Sequence, residues 1–171
     1  MRLFVALGAL LVFACAPAPA IDAAPAKPKL HSVGAEVKSW GVTLRKWTVD
    51  ADGRVEHSSG GRPGKAPADT VIEVRRQVLS AETRMKLDEA VQRVKSVLAT
   101  PEHCDEQLTD GPYGTFTWDE GAGQQQLKFD GNCVKGRDAK LSEAIFAADE
   151  IVDDAAKGAE PVDRHPATQD R

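Results

Sequence analysis

Apolar and polar residues alternate along several short stretches of the chain, which is the pattern of half-buried β-strands. The stretches are residues 36–49, 54–58, 70–78, 113–119 and 125–129. Segments rich in Gly and acidic residues separate the first two stretches and also the last two, and this favours hairpin connections. We therefore predict a sheet whose neighbouring strands are antiparallel.

The longest of these stretches does not keep one alternation throughout. Trp40 and Val42 fall on one face of an ideal strand, whereas Trp47 and Val49 fall on the other. We therefore expect either a bulge near residues 45–46 or a strand that is covered on both faces.

Two longer segments carry apolar residues at the three- and four-residue spacing of an amphipathic helix. The first follows Ser80, a good N-cap residue, and ends before Pro101, while the second follows Asp138, which we expect to cap it. The apolar positions are Met85, Leu87, Val91, Val94, Val97 and Leu98 in the first segment and Leu141, Ile145, Ala148 and Val152 in the second.

Strands that occur in runs, with helices between the runs, are typical of the α+β class. We predict a single α+β domain at residues 35–157. It contains an antiparallel sheet of about five strands, with two amphipathic helices packed on one face.

An arginine and an apolar run at residues 3–14 open the chain, as in a secretory signal peptide. We assign residues 1–20 to this signal, with two alternative processing sites. Cleavage before Cys15 would follow a motif, residues 12–15, that resembles a bacterial lipobox, and the cysteine would then be lipidated. Cleavage after Ala20, at the small-x-small pattern of ordinary signal peptidase, would remove Cys15.

The segments on either side of the predicted domain have compositions that do not support a packed core. Residues 21–34 are rich in Ala, Pro and Lys, and we expect them to form a semi-rigid linker. Residues 158–171 are polar and contain two prolines, and we expect them to form a disordered tail.

Two cysteines remain if Cys15 is lipidated or removed. An even number of cysteines in an exported protein indicates a disulfide, and we predict one between Cys104 and Cys133. The two residues come just after the first helix and just before the second, so they would lie near the same end of the sheet.

The formal net charge of −4 is mild for 171 residues. Basic residues do not cluster along the domain in the way that nucleic-acid-binding surfaces require, so we expect no nucleic-acid partner.

The sequence carries no recognisable motif for nucleophilic catalysis, nucleotide binding or metal binding. His103 and Cys104 lack the paired ligands of a zinc site, and the acidic turn at residues 50–53 lacks the spacing of a calcium loop. We predict a protein without cofactor or metal that is not an enzyme.

Candidate residues for contact with a partner protein lie on the strand with broken alternation and on the loop that follows the first hairpin. Trp40 and Trp47 fall on opposite faces, so one of them is expected to be exposed and available as an aromatic anchor. Arg62 and Lys65 lie in a loop rich in Gly and Pro.

The order of several segments resembles the emfourin family of small bacterial metalloprotease inhibitors. The relevant segments are VTLRKWTVD at residues 42–50, the helix opening LSAE at 79–82, the hairpin at 114–131 and the closing helix. The same order resembles several families of short bacterial lipoproteins of unknown function. The resemblance covers roughly residues 36–157 and implies an inhibitor-like role, but no inhibitory residue can be carried over.

Our leading hypothesis is an exported protein of the bacterial cell envelope that binds another protein and is anchored to a membrane if Cys15 is retained and lipidated. One rival is a free periplasmic or secreted small enzyme, for example a hydrolase, that assembles its site from scattered residues such as His57, His103 and Asp119. Another is a structural envelope component with no discrete site. A pocket with convergent titratable groups would favour the enzyme, and an exposed aromatic patch would favour the binding protein.

Overall fold

A computed structural model describes residues 30–61 and 70–167 of the chain. The strands in this part are β1 (Ser32–Ser39), β2 (Val42–Asp50), β3 (Arg54–Ser59), β4 (Val71–Val78), β5 (Cys104–Gln107), β6 (Tyr113–Asp119), β7 (Gln125–Asp130), β8 (Cys133–Gly136) and β9 (Pro161–Pro166). The helices are α1 (Ala81–Leu98) and α2 (Arg137–Ala156).

Seven of these strands form one sheet in the order β7-β6-β1-β2-β3-β4-β9, and every neighbouring pair is antiparallel. Strands β5 and β8 form a separate two-stranded sheet. The predicted α+β class and antiparallel sheet are confirmed. The prediction of about five strands is wrong, because one predicted strand is in fact a hairpin and several short or exposed strands carry no clear alternation.

The stretch predicted as one long strand turns back on itself at Trp40 and Gly41. Both residues have positive φ, at 53° and 75°, as the central residues of a type I′ hairpin turn do. Gly adopts this conformation without strain, but Trp is not a usual turn residue, and the turn was therefore not predicted from the residue types.

A bulge interrupts the pairing of β1 with β2. Val37 pairs with Arg45 and Lys38 pairs with Thr43, so Leu44 is the extra residue. The bulge therefore lies next to the predicted position at residues 45–46. It helps to explain the broken alternation, since the register changes between the two halves of β2.

The boundaries of the domain extend beyond residues 35–157. Leu30 is buried and β1 begins at Ser32, inside the predicted linker. Strand β9 lies inside the predicted disordered tail and pairs with β4. The composition was misleading there because β9 is held by backbone hydrogen bonds, while its side chains are almost all exposed.

Both helices contribute to one buried core against the sheet. Ser80 caps α1 as predicted, since its side chain accepts a hydrogen bond from the backbone N–H of Thr83. Helix α2 begins one residue before Asp138, and its N-cap is Gly136, which has no capping side chain. The core residues from β1, β2, β6, α1 and α2 include Val33, Ala35, Val37, Trp47, Val49, Phe116, Leu87, Val91, Val94, Leu141, Ile145 and Val152.

A disulfide joins Cys104 to Cys133, as predicted, with the two Cα atoms 5.8 Å apart. Cys104 begins β5 and Cys133 begins β8, so the disulfide links the two strands of the small sheet. This sheet connects α1 to β6 on one side and β7 to α2 on the other.

Candidate functional site

Trp40 is a large apolar side chain at the tip of the β1–β2 hairpin, and 63% of its surface is exposed. Its backbone is in the left-handed region, which is uncommon for any residue other than Gly, Asn or Asp. The most exposed aromatic side chain among the described residues therefore stands on a turn that its own residue type does not favour.

Tyr113 lies beside this turn at the start of β6. Its hydroxyl oxygen accepts a hydrogen bond of 3.0 Å from the backbone N–H of Gly41, and the residue is 39% exposed. Lys38, two residues before Trp40, pairs with Tyr113 across the sheet. We call Trp40, Gly41 and Tyr113 the aromatic tip.

Tyr113 was not among the residues singled out from the sequence. Its place at the start of a strand gave no sign of contact with residue 41, because the two lie far apart in the chain. Only the register of β1 with β6 brings them together. Once the register is known, the pairing of Lys38 with Tyr113 shows that Tyr113 lies next to the turn at residues 40–41.

Trp47, in contrast, is buried in the core, with 1% of its surface exposed. Its indole N–H donates a 2.9 Å hydrogen bond to Oδ1 of Asp149 in α2, and its ring packs edge to face on Phe116 with the centroids 6.4 Å apart. Trp47 cannot contact a partner protein while α2 covers it. Of the two tryptophans, therefore, Trp40 alone remains a candidate for partner contact.

The other predicted contact residues and the predicted lipidation site lie outside the described residues. These are Arg62, Lys65 and Cys15. Their assignments stay predictions.

Polar side chains meet beneath the C-terminal half of α2. Arg45 of β2 forms an ion pair with Oδ2 of Asp149, at 2.5 Å. Nε2 of His57, in β3, lies 3.2 Å from Oδ1 of Asp153, one helical turn further along α2. The His57 contact is a close approach of polar groups rather than an aligned hydrogen bond, because neither ring nitrogen has a hydrogen-bond partner.

Burial shifts the pKa values of the two most enclosed groups in opposite directions. It lowers the pKa of His57, and the positive charges of Arg75 and Arg45 add to that effect, while Asp153 opposes it. Burial raises the pKa of Asp149, although the Arg45 charge and the hydrogen bond from Trp47 act in the opposite sense.

These buried groups are unsuited to catalysis, because substrate cannot reach them. His57 and Asp149 are each only 1% exposed, because α2, which carries Asp149, packs against the sheet at this point. The other residues of the enzyme hypothesis have different surroundings. His103 is exposed and contacts the Pro101 carbonyl, whereas Asp119 accepts hydrogen bonds from backbone N–H groups in the β6–β7 turn. We infer a structural role for the buried polar groups.

The described residues also contain no group of three or more His, Cys, Asp or Glu side chains arranged to hold a metal ion. Neither α1 nor α2 is long and apolar enough to cross a membrane.

The chain matches no protein-family model, no curated protein and no solved structure. The function must therefore be argued from its own geometry, in which the aromatic tip is the exposed feature with the clearest chemical character.

Proposed function

We propose that this protein is an exported, non-enzymatic protein of the bacterial cell envelope that binds a partner protein through the aromatic tip. The observation that carries the proposal is Trp40, an exposed tryptophan in a left-handed backbone conformation at the end of a hairpin.

The conformation of Trp40 has a cost in stability. A residue other than Gly that is held in the left-handed region is destabilised by about 1 kcal/mol or more. Asn or Gly would occupy the same turn position more favourably. Because Trp40 is both strained and exposed, contact with a partner protein explains its presence better than a contribution to the stability of the fold.

A tryptophan and a tyrosine on one projection suit protein binding. Aromatic side chains of this kind are enriched among the residues that dominate binding energy at protein interfaces. The hydrogen bond from Gly41 to the Tyr113 hydroxyl also holds the turn against β6. The turn therefore loses little conformational entropy when a partner binds.

The proposed compartment is supported by the disulfide between Cys104 and Cys133, since such bonds persist in oxidising compartments and are rare in the cytosol. It is also supported by the apolar N-terminal segment of the sequence. We propose a lipid anchor at Cys15. A free periplasmic or secreted domain is the alternative if cleavage follows Ala20.

Inhibition of a protease, as the resemblance to emfourins implies, is one form that such binding could take. A projecting hairpin that carries an aromatic side chain has the shape to enter an apolar pocket of an enzyme. The proposal itself requires only a protein partner.

Site-specific photocrosslinking tests the proposal. Trp40 is replaced by p-benzoylphenylalanine in the full chain, which is expressed in its native host and irradiated in intact cells. The matched control carries the same residue in place of Met85, which is 60% exposed on α1. We expect a crosslink to a specific envelope protein from residue 40 and none from residue 85.

Two results would count against the proposed site. One is the absence of any protein crosslink from residue 40. The other is the same set of crosslinked proteins from residues 40 and 85, which would indicate chance contacts at an exposed surface.

A further inference from the structure

A second loop lies beside the aromatic tip, at the same end of the large sheet. It spans residues 108–112 and connects β5 to β6, so it leads directly into Tyr113. Tyr113 pairs with Lys38 of β1 on one side and with Asp130 of β7 on the other. The β1–β2 turn, this loop and the turn that follows β7 are therefore neighbours. We call residues 108–112 the second loop.

Hydrogen bonds hold the second loop against the turn that follows β7. The backbone N–H of Leu108 donates to the carbonyl of Asn132 at 2.8 Å, and the N–H of Gly111 donates to the Asn132 side chain. The N–H of Gly131 donates to the carbonyl of Pro112, also at 2.8 Å. Glycine is required for this close approach, because a Cβ at Gly131 would lie 2.5 Å from the Pro112 carbonyl oxygen. The second loop is therefore ordered before any partner binds.

Leu108 is the large apolar side chain that the second loop presents, and it is 56% exposed. A single exposed apolar residue is common on protein surfaces. Here, however, it stands on a loop that is held next to Trp40 and Tyr113, which are exposed as well. Neighbouring segments at one end of the sheet thus present three exposed apolar side chains, which extends the surface beyond the aromatic tip.

The charges beside Leu108 indicate the chemistry of a partner. Glu106 and Asp110 lie two residues before and two residues after it, and both are exposed. Neither carboxylate forms an ion pair within the part of the chain that the structure describes, although Lys135 is opposite Glu106 across the small sheet. Two exposed carboxylates that remain unpaired would be complemented by basic residues of a partner.

We propose that the second loop and the aromatic tip form one binding surface for a protein with an apolar cleft bordered by Lys or Arg residues. Trp40 and Leu108 enter the cleft, and Glu106 and Asp110 face the basic residues at its border. The partner surface is concave because two projecting segments have to make contact at once. This inference rests on the function proposed above and deepens it by assigning a second contact segment and the charge of the partner.

Photocrosslinking from the second loop tests whether the surface is shared. In the same cells, p-benzoylphenylalanine replaces Leu108 in one variant and Val78 in a matched control. Val78 is 65% exposed and lies at the opposite end of the sheet, where β4 pairs with the start of β3. We expect residue 108 to crosslink to the same protein as residue 40, and residue 78 to crosslink to neither this protein nor another.

The outcomes separate this inference from the proposed function. A specific crosslink from residue 40 but not from residue 108, or different proteins from the two positions, would overturn the inference and leave the proposed function standing. The same protein from residue 78 would also overturn it, because contact would then not be confined to one end of the sheet. No specific crosslink from residue 40 would reject both.

Truncation of the apolar side chain tests the contribution of the second loop to affinity. The crosslinked partner is purified, and its dissociation constant is measured for Leu108→Ala and for the control Val78→Ala. We expect Leu108→Ala to weaken binding by about tenfold and Val78→Ala to leave it unchanged. Both variants should unfold at the same denaturant concentration as the wild type. Equal affinities for the two variants would reject Leu108 as a contact.

Removal of the two carboxylates tests the charge assigned to the partner. The double variant Glu106→Gln and Asp110→Asn keeps the loop conformation, since Asn tolerates the positive φ of 69° at residue 110. We expect its association rate with the purified partner at low salt to fall by about tenfold and to depend less on salt. The control, Glu89→Gln and Glu143→Gln, removes the same charge from exposed positions on α1 and α2. Equal association rates for the two double variants would reject a basic partner surface.

Discussion

The indole N–H of Trp47 and the carboxylate of Asp149 meet in the core, where an unpaired charge would be costly. Burial alone disfavours the ionised carboxylate, which is why the pKa of Asp149 is raised. The hydrogen bond from Trp47 and the ion pair with Arg45 offset part of that cost. The group thus ties α2 to β2 at a defined position.

Replacement of Asp149 should therefore depend on which interactions the new side chain keeps. Asp149→Asn retains an oxygen for the indole N–H and should lower the free energy of unfolding by about 1 kcal/mol. Both variants remove the counter-ion of Arg45, but Asp149→Leu also leaves the indole N–H without an acceptor and should cost about 3 kcal/mol. Denaturant unfolding measures both values. The exposed neighbour Asp154 serves as a control, since Asp154→Asn should change stability by less than about 0.5 kcal/mol. Equal losses for Asn and Leu at position 149 would contradict this account.

His57 should make stability depend on pH. Its pKa is lower in the folded protein than in the unfolded chain, so below about pH 6.5 the unfolded chain binds more protons. Its contribution is fully present above that pH, and stability should fall as the pH decreases toward the folded-state pKa, with a slope of up to about 1.4 kcal/mol per pH unit.

The measurement is the free energy of unfolding between pH 5 and pH 8 for the wild type and for His57→Gln. The variant should lose stability overall but show a flatter profile in this range. Profiles with the same slope would mean that His57 does not carry the dependence. His165→Gln, at an exposed position, is the control for general effects of losing a histidine.

For individual residues, only part of the site could be predicted from the sequence. The alternation showed that Trp40 and Trp47 differ in their surroundings, but not which of them is buried. Asp149 lies four residues after Ile145, within the apolar stripe of the second helix, and that position was a usable signal of a buried acid. Its partner Trp47 could not be found without the packing of α2 on the sheet.

The β1–β2 hairpin shows that the prediction of whole elements from the sequence is also limited when an element depends on unusual turn residues or distant contacts. A turn is predictable when its residues are typical of the turn type, and Trp-Gly is not. Both helices were predicted because the 3.6-residue period is a local property, but of the two predicted caps only Ser80 is an N-cap, since α2 begins before Asp138. Strand β9 was missed because its pairing with β4 depends on a distant segment, while its own side chains show no buried face.

Relief of the turn strain provides a test of why Trp40 is present. Trp40→Asn places a residue that tolerates the left-handed conformation at this position and should stabilise the protein by about 0.5–1 kcal/mol. Trp40→Val, with a β-branched side chain, should destabilise it. Denaturant unfolding measures both changes. If Trp40→Asn is less stable than the wild type, Trp40 contributes to the fold, and the argument for a binding role is lost.

Across the whole molecule, the disulfide restrains the segment from β5 to β8, which includes the β6–β7 hairpin. Closing a loop with a sequence separation of 29 should stabilise the protein by about 3.5 kcal/mol in the chain-entropy model. The double variant Cys104→Ser and Cys133→Ser should lose about that amount in denaturant unfolding. The wild type should lose as much under reducing conditions, whereas the variant should not respond to the reductant. A wild type that is equally stable in both conditions would contradict the role of the disulfide.

The central claim is that this is an exported domain, because both the persistence of the disulfide and the identity of any partner depend on the compartment. The most direct test is the intact mass of the mature protein purified from the envelope of its native host, with and without reduction. We predict a chain that begins at Cys15 and carries acyl groups, and that gains the mass of two hydrogen atoms on reduction. A chain that begins at Ile21 would keep the export claim but reject the anchor. A full-length chain that begins at Met1 and does not change on reduction would contradict the account.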